Sequence, residues 1–386
     1  MTINRILAVP FIFQALSIIA PFIYLKLAYE QGVHQALTSE FIQSIVGFGI
    51  VAIDFSASTF LAKKQKRLIS KGALSTIVAG RFFFATFIFF VGIACLHLSN
   101  SNLTSLTAIS FFMILLAVVI EPSWIFIGKG ALWVPPCLAF FRFSLASILI
   151  LFQFEAVLSL GFGYLIGSVI FILPICRQLN ITLPLKFRLY RRILRSYFLP
   201  TIAEGVTSIF SRLDVMFAIM VLQPSHAFIY TATRKVIVGF QSVAQSGSKA
   251  IFLYRHDDSY DKIKSNYRLL CYTLFLTSIP ITLFFLMFAF GIIFSLDLLL
   301  TIMSLSMLLL VSYYKTVLQL GGLYIERKFG MDLTATILSC LFFVLCSAIQ
   351  GYLELDSSFL FAISRVLADL IYIVVAFYLL RLVCQK

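Results

Sequence analysis

The chain of 386 residues is too apolar for a soluble protein, since 61% of its residues are hydrophobic, 12% are charged and the mean hydropathy is +1.02. Globular domains carry about 45–50% apolar and about 25% charged residues. The composition therefore excludes a soluble domain and predicts a polytopic membrane protein. The net charge of +14 is explained by membrane topology, because Lys and Arg concentrate in alternate connections, so no nucleic-acid partner is expected.

Twelve apolar stretches are each long enough to cross the hydrocarbon layer, which takes about 20 helical residues. Their predicted limits are 5–27, 41–61, 73–97, 104–127, 131–152, 156–176, 197–221, 226–254, 269–294, 298–324, 333–353 and 359–382. The first is interpreted as a span and not as a cleaved signal peptide, because the apolar run is long and no A-x-A site follows it. The sequence thus predicts an all-α fold of twelve transmembrane helices with short connections.

Lys and Arg lie in the connections after the even-numbered spans and are absent from those after the odd-numbered spans. Cytoplasmic connections are the basic ones, so both termini are predicted to be cytoplasmic. The opposite connections hold acidic residues: Glu30, Glu40, Glu155, Asp297, Glu354 and Asp356. The longest cytoplasmic connection is a predicted linker at 177–196, between an N-terminal lobe (1–176) and a C-terminal lobe (197–386). Paired six-span lobes favour a transporter.

Motifs for bond-making chemistry are missing from the sequence. The seven cysteines show no C-x-x-C spacing, and the four histidines are scattered near span ends. There is no Walker A loop and no G-x-S-x-G elbow. We therefore expect no catalytic residue, no metal and no cofactor, and the chain is not predicted to be an enzyme.

Ionisable residues inside the spans carry the functional information. Each costs about 2.5–3.5 kcal/mol at the bilayer centre, so most must face a hydrated interior. They are Lys26, Arg81, Arg142, Arg212, Arg234, Lys235, Lys249, Lys315 and Arg365, with the acids Asp54, Glu121, Glu204, Asp214 and Asp369. The bases outnumber the acids, which predicts a cationic interior.

Two sets of site residues follow from this distribution. The predicted substrate-binding residues are Arg212, Arg234, Lys235, Lys249, Arg142 and Lys26. The carboxylates predicted either to couple an ion or to pair with a nearby Arg are Asp54, Asp214 and Glu204. Helical phase places Arg212 and Asp214 on one polar side of span 7, and Arg234 on a polar stripe along span 8.

Other polar residues have structural interpretations. Arg365 and Asp369 are spaced i, i+4 and are predicted to pair within span 12. Arg81, Lys26 and Lys315 lie near span ends, where snorkelling to the interface is the alternative. The small-xxx-small spacing of residues 163 and 167, both glycine, predicts close helix packing at span 6.

A cationic interior selects an anionic substrate, because desolvated Arg and Lys bind phosphate strongly. Cations spread along the depth of several helices suit a bulky amphiphile with a phosphate near its head. Without an ATPase domain, the movement is expected to depend on an ion gradient or on the substrate gradient.

Three segments resemble motifs of the Wzx-type flippases of bacterial polysaccharide synthesis, which belong to the same superfamily as the MATE drug exporters. Glu121–Gly128, EPSWIFIG, is similar to the family's P-x-W-x-F-x-G turn. Tyr230–Val236, YTATRKV, is similar to its Y-x-A-x-x-K-[IV] pattern. Asp54–Ser58, DFSAS, is similar to the end of its second span.

The resemblance implies a two-lobed MOP/MATE-like fold with alternating access, in the bacterial inner membrane. The implied activity is flipping of undecaprenyl-pyrophosphate-linked oligosaccharide units from the cytoplasmic to the periplasmic leaflet, for O-antigen or other surface polysaccharide, including lipopolysaccharide. The implied partners are that lipid-linked oligosaccharide, membrane lipid, the polysaccharide polymerase and the chain-length regulator.

Two alternatives remain open, a polysaccharide polymerase and a MATE-like small-molecule exporter. A polymerase is expected to carry a large periplasmic loop with Arg residues, and an exporter of organic cations an acid-rich interior. The sequence favours neither pattern. A major-facilitator carrier, which also has twelve spans, would carry G-x-x-x-D-R-x-G-R-R, and residues 62–71 lack it.

Overall fold

The computed structural model describes residues 3–54, 71–98, 104–121, 134–178, 212–253, 260–318 and 329–384. The chain forms two compact units, Met1–Ser208 and Ile209–Lys386. Most of the predicted linker 177–196 lies outside the described residues, so the predicted lobe boundaries stay a prediction.

All regular secondary structure in the described residues is helical. Unit 1 contains α1 (Ile3–Gln31), α2 (Val33–Asp54), α3 (Lys71–Leu98), α4 (Ser105–Ile120), α5 (Val134–Leu151) and α6 (Ala156–Gln178). Unit 2 contains a helical stretch at 212–221, named α7, and α8 (Pro224–Leu253), α9 (Tyr260–Phe290), α10 (Leu296–Leu318), α11 (Phe329–Tyr352) and α12 (Ser358–Cys384). Each predicted span overlaps one of these stretches in order, so the all-α, twelve-helix fold is confirmed.

Seven helices in the described part of the chain are long and apolar enough to cross a membrane. Their apolar surface points outward, as shown by Phe83 on α3, which is 71% exposed, and Phe288 on α9, which is 81% exposed. Such residues would be unfavourable in water and favourable against lipid chains. The chain is therefore a multi-pass membrane protein.

In unit 1, α5 packs against α1 and α6, and α6 packs against α4. The glycines of α6 make this approach possible. A Cβ on Gly163 would lie 2.4 Å from the Arg142 carbonyl oxygen, and one on Gly167 would lie 2.9 Å from Arg142 Cγ. Both glycines face α5 at close range, which confirms the small-residue packing predicted for span 6.

Glu40 differs from its predicted place in an outer connection. Gly32, with φ of +139°, makes the whole turn between α1 and α2, so α2 begins at Val33 and Glu40 lies buried inside it. Its Oε1 accepts a hydrogen bond of 3.0 Å from Gln43 Nε2. Because the turn takes only one residue, the polar segment before the apolar run of span 2 is part of α2. The limits of the apolar run do not show that the helix begins this early.

In unit 2, α12 packs against α10 and α11, and α9 packs against α8 and α10. The ends of these helices are set by tight turns. Gly291 has φ of +63° after α9, and Glu354 has φ of +51° in the turn between α11 and α12. This arrangement places α12 beside α10, so Lys315 in the last turn of α10 can meet Asp369 of α12.

Candidate functional site

A buried carboxylate, Asp214 on α7, is the centre of a polar cluster in unit 2. Its side chain is 0% exposed, and Arg234 Nε lies 2.7 Å from its Oδ2. Arg365 Nε on α12 lies 3.3 Å from the same oxygen, and the Tyr230 hydroxyl donates to it at 3.1 Å. One carboxylate therefore bridges two guanidinium groups from different helices.

The cluster continues from Arg365 toward α10 and α11. Arg365 Nη2 lies 3.1 Å from Asp369 Oδ2, which confirms the predicted pair within span 12. Lys315 Nζ on α10 lies 3.3 Å from Asp369 Oδ1 and 4.5 Å from the centre of the Tyr372 ring. The Tyr372 hydroxyl donates to Asp332 of α11. We call the chain Arg234, Asp214, Arg365, Asp369 and Lys315 the charge chain.

Neutral side chains hold the other face of Arg234. Its Nη1 donates to Gln241 Oε1 at 3.1 Å, and Gln241 Nε2 donates to Ser312 Oγ of α10 at 3.2 Å. Tyr230, Arg234 and Gln241 are spaced i, i+4 and i+11, which keeps them within about 40° of one another on an α-helix. The polar stripe predicted for span 8 is thus the edge of α8 that meets α7, α10 and α12.

The charge chain contains three cations and two carboxylates, alternating in sign. Alternation offsets the large desolvation cost of burying each charge, which an isolated ion would carry alone. The formal sum is one positive charge. Arg234 is ten residues after the start of α8, or about 15 Å along the axis, which is about half the thickness of a bilayer core. The charge chain lies well inside unit 2, and the buried Asp332, which is linked to it through Tyr372, brings the wider cluster to three charges of each sign.

A second buried ion pair lies in unit 1. Arg142 Nη2 on α5 is 2.9 Å from Glu121 Oε2 at the end of α4, and it also donates to Ser168 Oγ of α6. The guanidinium lies 4.8 Å from the centre of the Tyr164 ring. Arg81 of α3 donates to the Glu121 backbone oxygen at 3.0 Å. Through Arg142, Glu121 and Arg81, four helices (α3, α4, α5 and α6) are therefore linked. Glu121 is also the first residue of the proline-tryptophan motif in the sequence.

The predicted substrate-binding residues do not form one cluster in the described part of the chain. Arg234 belongs to the charge chain, and Arg142 belongs to the ion pair of unit 1. Lys26 is exposed and lies 3.8 Å from Glu30 of the same helix, while Lys235 is half-buried. Arg212 is exposed at the start of α7. The Lys249 side chain lies outside the described residues, and substrate contact by all six stays a prediction.

The three predicted carboxylates also differ. Asp214 pairs with Arg234 and Arg365, which is one of its two predicted roles. Glu204 and the side chain of Asp54 lie outside the described residues. Arg212 and Asp214 lie about 160° apart around α7, which is the width of the predicted polar arc. Arg212 is exposed and Asp214 is buried, so that arc includes one outward-facing and one inward-facing residue. Ion coupling by these carboxylates stays a prediction.

Two members of the cluster were missed in the sequence. Asp332 was assigned to the connection before span 11, yet it is fully buried on α11. Tyr372 was not considered, although it follows Arg365 and Asp369 at i+7 and i+3 and so shares their side of α12. The helical phase of span 12 could have identified Tyr372. Only tertiary contact identifies Asp332.

No protein-family model and no curated protein matches the chain. Solved structures match it over nearly its whole length. The lipid II flippase MurJ, in an inward closed conformation, is 16% identical with a TM-score of 0.71, covering 97% of this chain and 87% of that one. An inward-facing multidrug resistance MATE family transporter of the MOP superfamily is 14% identical with a TM-score of 0.68, covering 96% and 94%.

A MOP superfamily transporter from Pyrococcus furiosus gives the same result, with 14% identity, a TM-score of 0.61 and coverage of 96% of this chain and 93% of that one. These three structures are described as a flippase and as transporters, and not as enzymes. At such identities the likeness concerns the fold. The chain has the MOP/MATE-like fold.

Proposed function

We propose that the chain is a flippase that moves undecaprenyl-pyrophosphate-linked oligosaccharide repeat units from the cytoplasmic to the periplasmic leaflet of the bacterial inner membrane. The observation that carries the proposal is the charge chain, in which each of two buried carboxylates lies between two cations inside a helix bundle with an apolar exterior. A bundle that needed only stability would be expected to bury apolar residues instead, since these are often as stabilising as an ion pair.

The pyrophosphate is the group that the charge chain fits. Arg offers paired donors that match phosphate oxygens, and Lys adds a point charge. Arg234 and Arg365 both contact Asp214 Oδ2 through Nε, so a phosphate oxygen that took the place of Oδ2 would meet both guanidinium groups. All three side chains are buried, so the exchange requires the helices to move apart, as alternating access would provide. The exchange of one anion for another avoids leaving a bare guanidinium in a low-dielectric interior. Sugars can hydrogen-bond to polar side chains nearby while the polyprenyl tail stays in lipid.

Two further observations support this class of substrate. One solved structure with the same fold is a lipid II flippase. The segment Tyr230–Val236, which resembles a Wzx-type motif, supplies the motif's tyrosine as a hydrogen-bond donor to Asp214, and it supplies Arg234, at a variable position of the motif, to the charge chain. The motif and the charge chain therefore meet on α8 at Tyr230.

The direct test is a gene deletion complemented with single variants. Arg234→Ala and Arg212→Ala are expected to abolish surface polysaccharide while the protein remains in the membrane at normal level. Lipid-linked repeat units should then accumulate on the inner leaflet. Arg268→Ala is the matched control, because Arg268 is an exposed arginine of unit 2 outside the charge chain, and it should complement fully. Normal polysaccharide with both test variants would remove these residues from the site.

The same strains separate the alternatives. A polysaccharide polymerase would leave single repeat units attached at the cell surface, since its substrate reaches the outer leaflet without it. A MATE-like exporter, which the fold also accommodates, would leave polysaccharide unchanged and alter susceptibility to cationic drugs. The buried cations of the charge chain disfavour a cationic cargo, which would have to compete with them for Asp214 and Asp369.

A further inference from the structure

One histidine lies between two carboxylates at the end of unit 2 opposite the basic connections. His226 is in the first turn of α8 and is about one third exposed. Its Nδ1 lies 3.7 Å from Asp297 Oδ2, and its Nε2 lies 3.8 Å from Asp356 Oδ2. Both distances allow ion pairing but exceed a hydrogen bond. Nδ1 is buried and has no hydrogen-bond partner among the described residues.

Both carboxylates are fixed by other bonds. Asp297 begins α10 and accepts from Ser357 Oγ at 2.8 Å and from Ser358 Oγ at 2.6 Å. Asp356, in the turn between α11 and α12, accepts from the backbone N–H of Gln223 at 3.0 Å. The imidazole is therefore placed between two anchored anions that belong to different elements.

The turn that carries Asp356 is itself held in place. Gln350 Nε2 donates to the backbone oxygens of Leu355 and Ser357, at 2.8 and 3.0 Å. Ser358 Oγ also lies 2.9 Å from Thr301 Oγ1 of α10. The start of α12 and the start of α10 are thus joined with or without His226. The start of α8 is tied to the α11–α12 turn by the Gln223 N–H bond to Asp356, and His226 is the side chain that adds a contact from the first turn of α8 to α10.

The charged groups that face His226 are few. Asp297 comes from α10, and Asp356 comes from the turn before α12. The end of α9 and the segment that joins it to α10, residues 286–295, contain no titratable side chain, and neither do residues 221–225. Glu354 is exposed on the α11–α12 turn. Only the two aspartates lie within ion-pair distance of the ring in the part of the chain that the structure describes.

The protonation state of His226 decides how many of these contacts can form. A neutral imidazole has one N–H donor, so it can donate to one carboxylate and presents a lone pair to the other. An imidazolium donates from both nitrogens and can bind both. Histidine is the side chain that changes charge between pH 5 and 8 in ordinary surroundings.

We infer that His226 is a proton-operated clamp: when protonated it binds both Asp297 and Asp356 and so ties the first turn of α8 to α10 beside the Gln223–Asp356 bond, and when neutral it binds only one of the two carboxylates. The clamp closes as pH falls and opens as pH rises. If the basic connections are cytoplasmic, this end of unit 2 faces the outside, and the clamp responds to external pH. The inference does not depend on what the protein carries.

A structural contrast within the chain supplies a control. In unit 1, the turn between α5 and α6 is held by a neutral side chain, since Gln31 Nε2 donates to the Phe154 oxygen and its Oε1 accepts from the Ala156 N–H, both at 2.8 Å. These bonds do not need a proton from solvent. Exchange protection at this end of unit 1 should therefore not depend on His226.

Hydrogen–deuterium exchange of the full chain in lipid nanodiscs tests the clamp. Wild type and His226→Gln are compared at the same pH, which cancels the chemical effect of pH on exchange. At pH 5.5, peptides covering 222–230, 292–300 and 353–361 should exchange about threefold to fivefold faster in the variant, the size expected for partly exposed ion pairs. At pH 8 the ratio should approach one. His34→Gln changes an exposed histidine of unit 1 and should match wild type at both pH values.

Asp356→Asn gives an independent test, because it keeps the shape of the side chain and removes one anion. It should lose most of the protection that wild type gains at pH 5.5, with peptides covering 152–160 of unit 1 unchanged. A variant-to-wild-type ratio for His226→Gln that is the same at pH 5.5 and pH 8 would overturn the clamp. Equal protection of Asp356→Asn and wild type at pH 5.5 would overturn it as well.

Discussion

Two buried arginines, Arg142 in unit 1 and Arg234 in unit 2, have similar burial and different surroundings. Arg142 binds one carboxylate, one hydroxyl and one aromatic ring, and glycines of α6 pack closely around it. Arg234 shares its carboxylate with Arg365, which shares a second carboxylate with Lys315. The first arrangement is matched one to one. In the second, each carboxylate lies between two cations.

This difference separates a structural ion pair from a binding site. Both satisfy the rule that a buried charge must be paired. Of the two clusters, only the charge chain has carboxylates that each lie between two cations, and those cations come from three helices, so a bound anion could be shared between helices in the same way. Arg142 was predicted as a substrate contact together with Arg234. Substitutions in each cluster separate the two roles.

The largest effect is expected at the centre of the charge chain. Asp214→Ala leaves Arg234 and Arg365 buried near each other without their shared carboxylate, which should cost about 3–5 kcal/mol of folding stability. Folded protein in the membrane fraction, followed by fluorescence size-exclusion chromatography, should fall sharply. Asp214→Asn with Arg234→Gln, which removes one charge of each sign, should recover much of the folded protein. Equal loss in the single and double variants would contradict a charge-pairing role for Asp214.

The ion pair of unit 1 should respond differently to paired substitution. Arg142→Leu alone leaves Glu121 without its guanidinium partner and should cost about 3–5 kcal/mol. Arg142→Leu with Glu121→Gln should restore thermal stability and also restore surface polysaccharide. If stability returns and polysaccharide does not, Arg142 contacts substrate and the contrast with Arg234 fails.

Helix packing around Arg142 gives an intermediate effect with a built-in control. Gly163→Ala places a Cβ 2.4 Å from a backbone oxygen of α5, whereas Gly167→Ala meets the flexible Arg142 side chain at 2.9 Å. Overpacking typically costs about 1–3 kcal/mol, and the rigid neighbour should give the larger loss. The thermal midpoint of Gly163→Ala should therefore fall below that of Gly167→Ala. The reverse order would show that α5 and α6 approach each other differently.

The smallest effect is expected from Tyr230→Phe. It removes one hydrogen bond of 3.1 Å to Asp214 and keeps the ring, which packs edge-on against Phe361 with centroids 5.0 Å apart. The loss should be about 0.5–1.5 kcal/mol in unfolding free energy. Polysaccharide should remain near normal. A complete loss of polysaccharide with stable protein would make Tyr230 a substrate contact.

Helix order was predictable from the sequence because the signal is strong. Apolar runs of about 20 residues are typical of membrane-spanning helices, and the alternation of basic connections supports the same division. The ion-pair partners of the buried charges were harder to predict from the sequence. The i, i+4 spacing indicated the pair of Arg365 with Asp369, yet the contact of Arg365 with Asp214 depends on how α12 packs beside α7. No local pattern encodes that distance.

Glu40 and Asp332 show where hydropathy misleads. Both were assigned to connections because polar residues precede the apolar runs of spans 2 and 11, and both are buried within helices. A helix can extend beyond its most apolar segment when the preceding turn is short and its buried polar side chains are hydrogen-bonded. In α2, Gly32 makes the short turn and Gln43 donates the hydrogen bond to Glu40. The spans were therefore right in number and too short at polar ends.

Reconstitution offers the most direct measurement of transport by the charge chain. The purified chain is placed in liposomes with a fluorescent undecaprenyl-pyrophosphate oligosaccharide, and the fraction accessible from outside is followed over time. Wild type and Arg268→Ala should move the lipid at the same rate, while Arg234→Gln should reduce movement to that of protein-free liposomes. Movement by Arg234→Gln at the wild-type rate would contradict the assignment of the pyrophosphate to the charge chain.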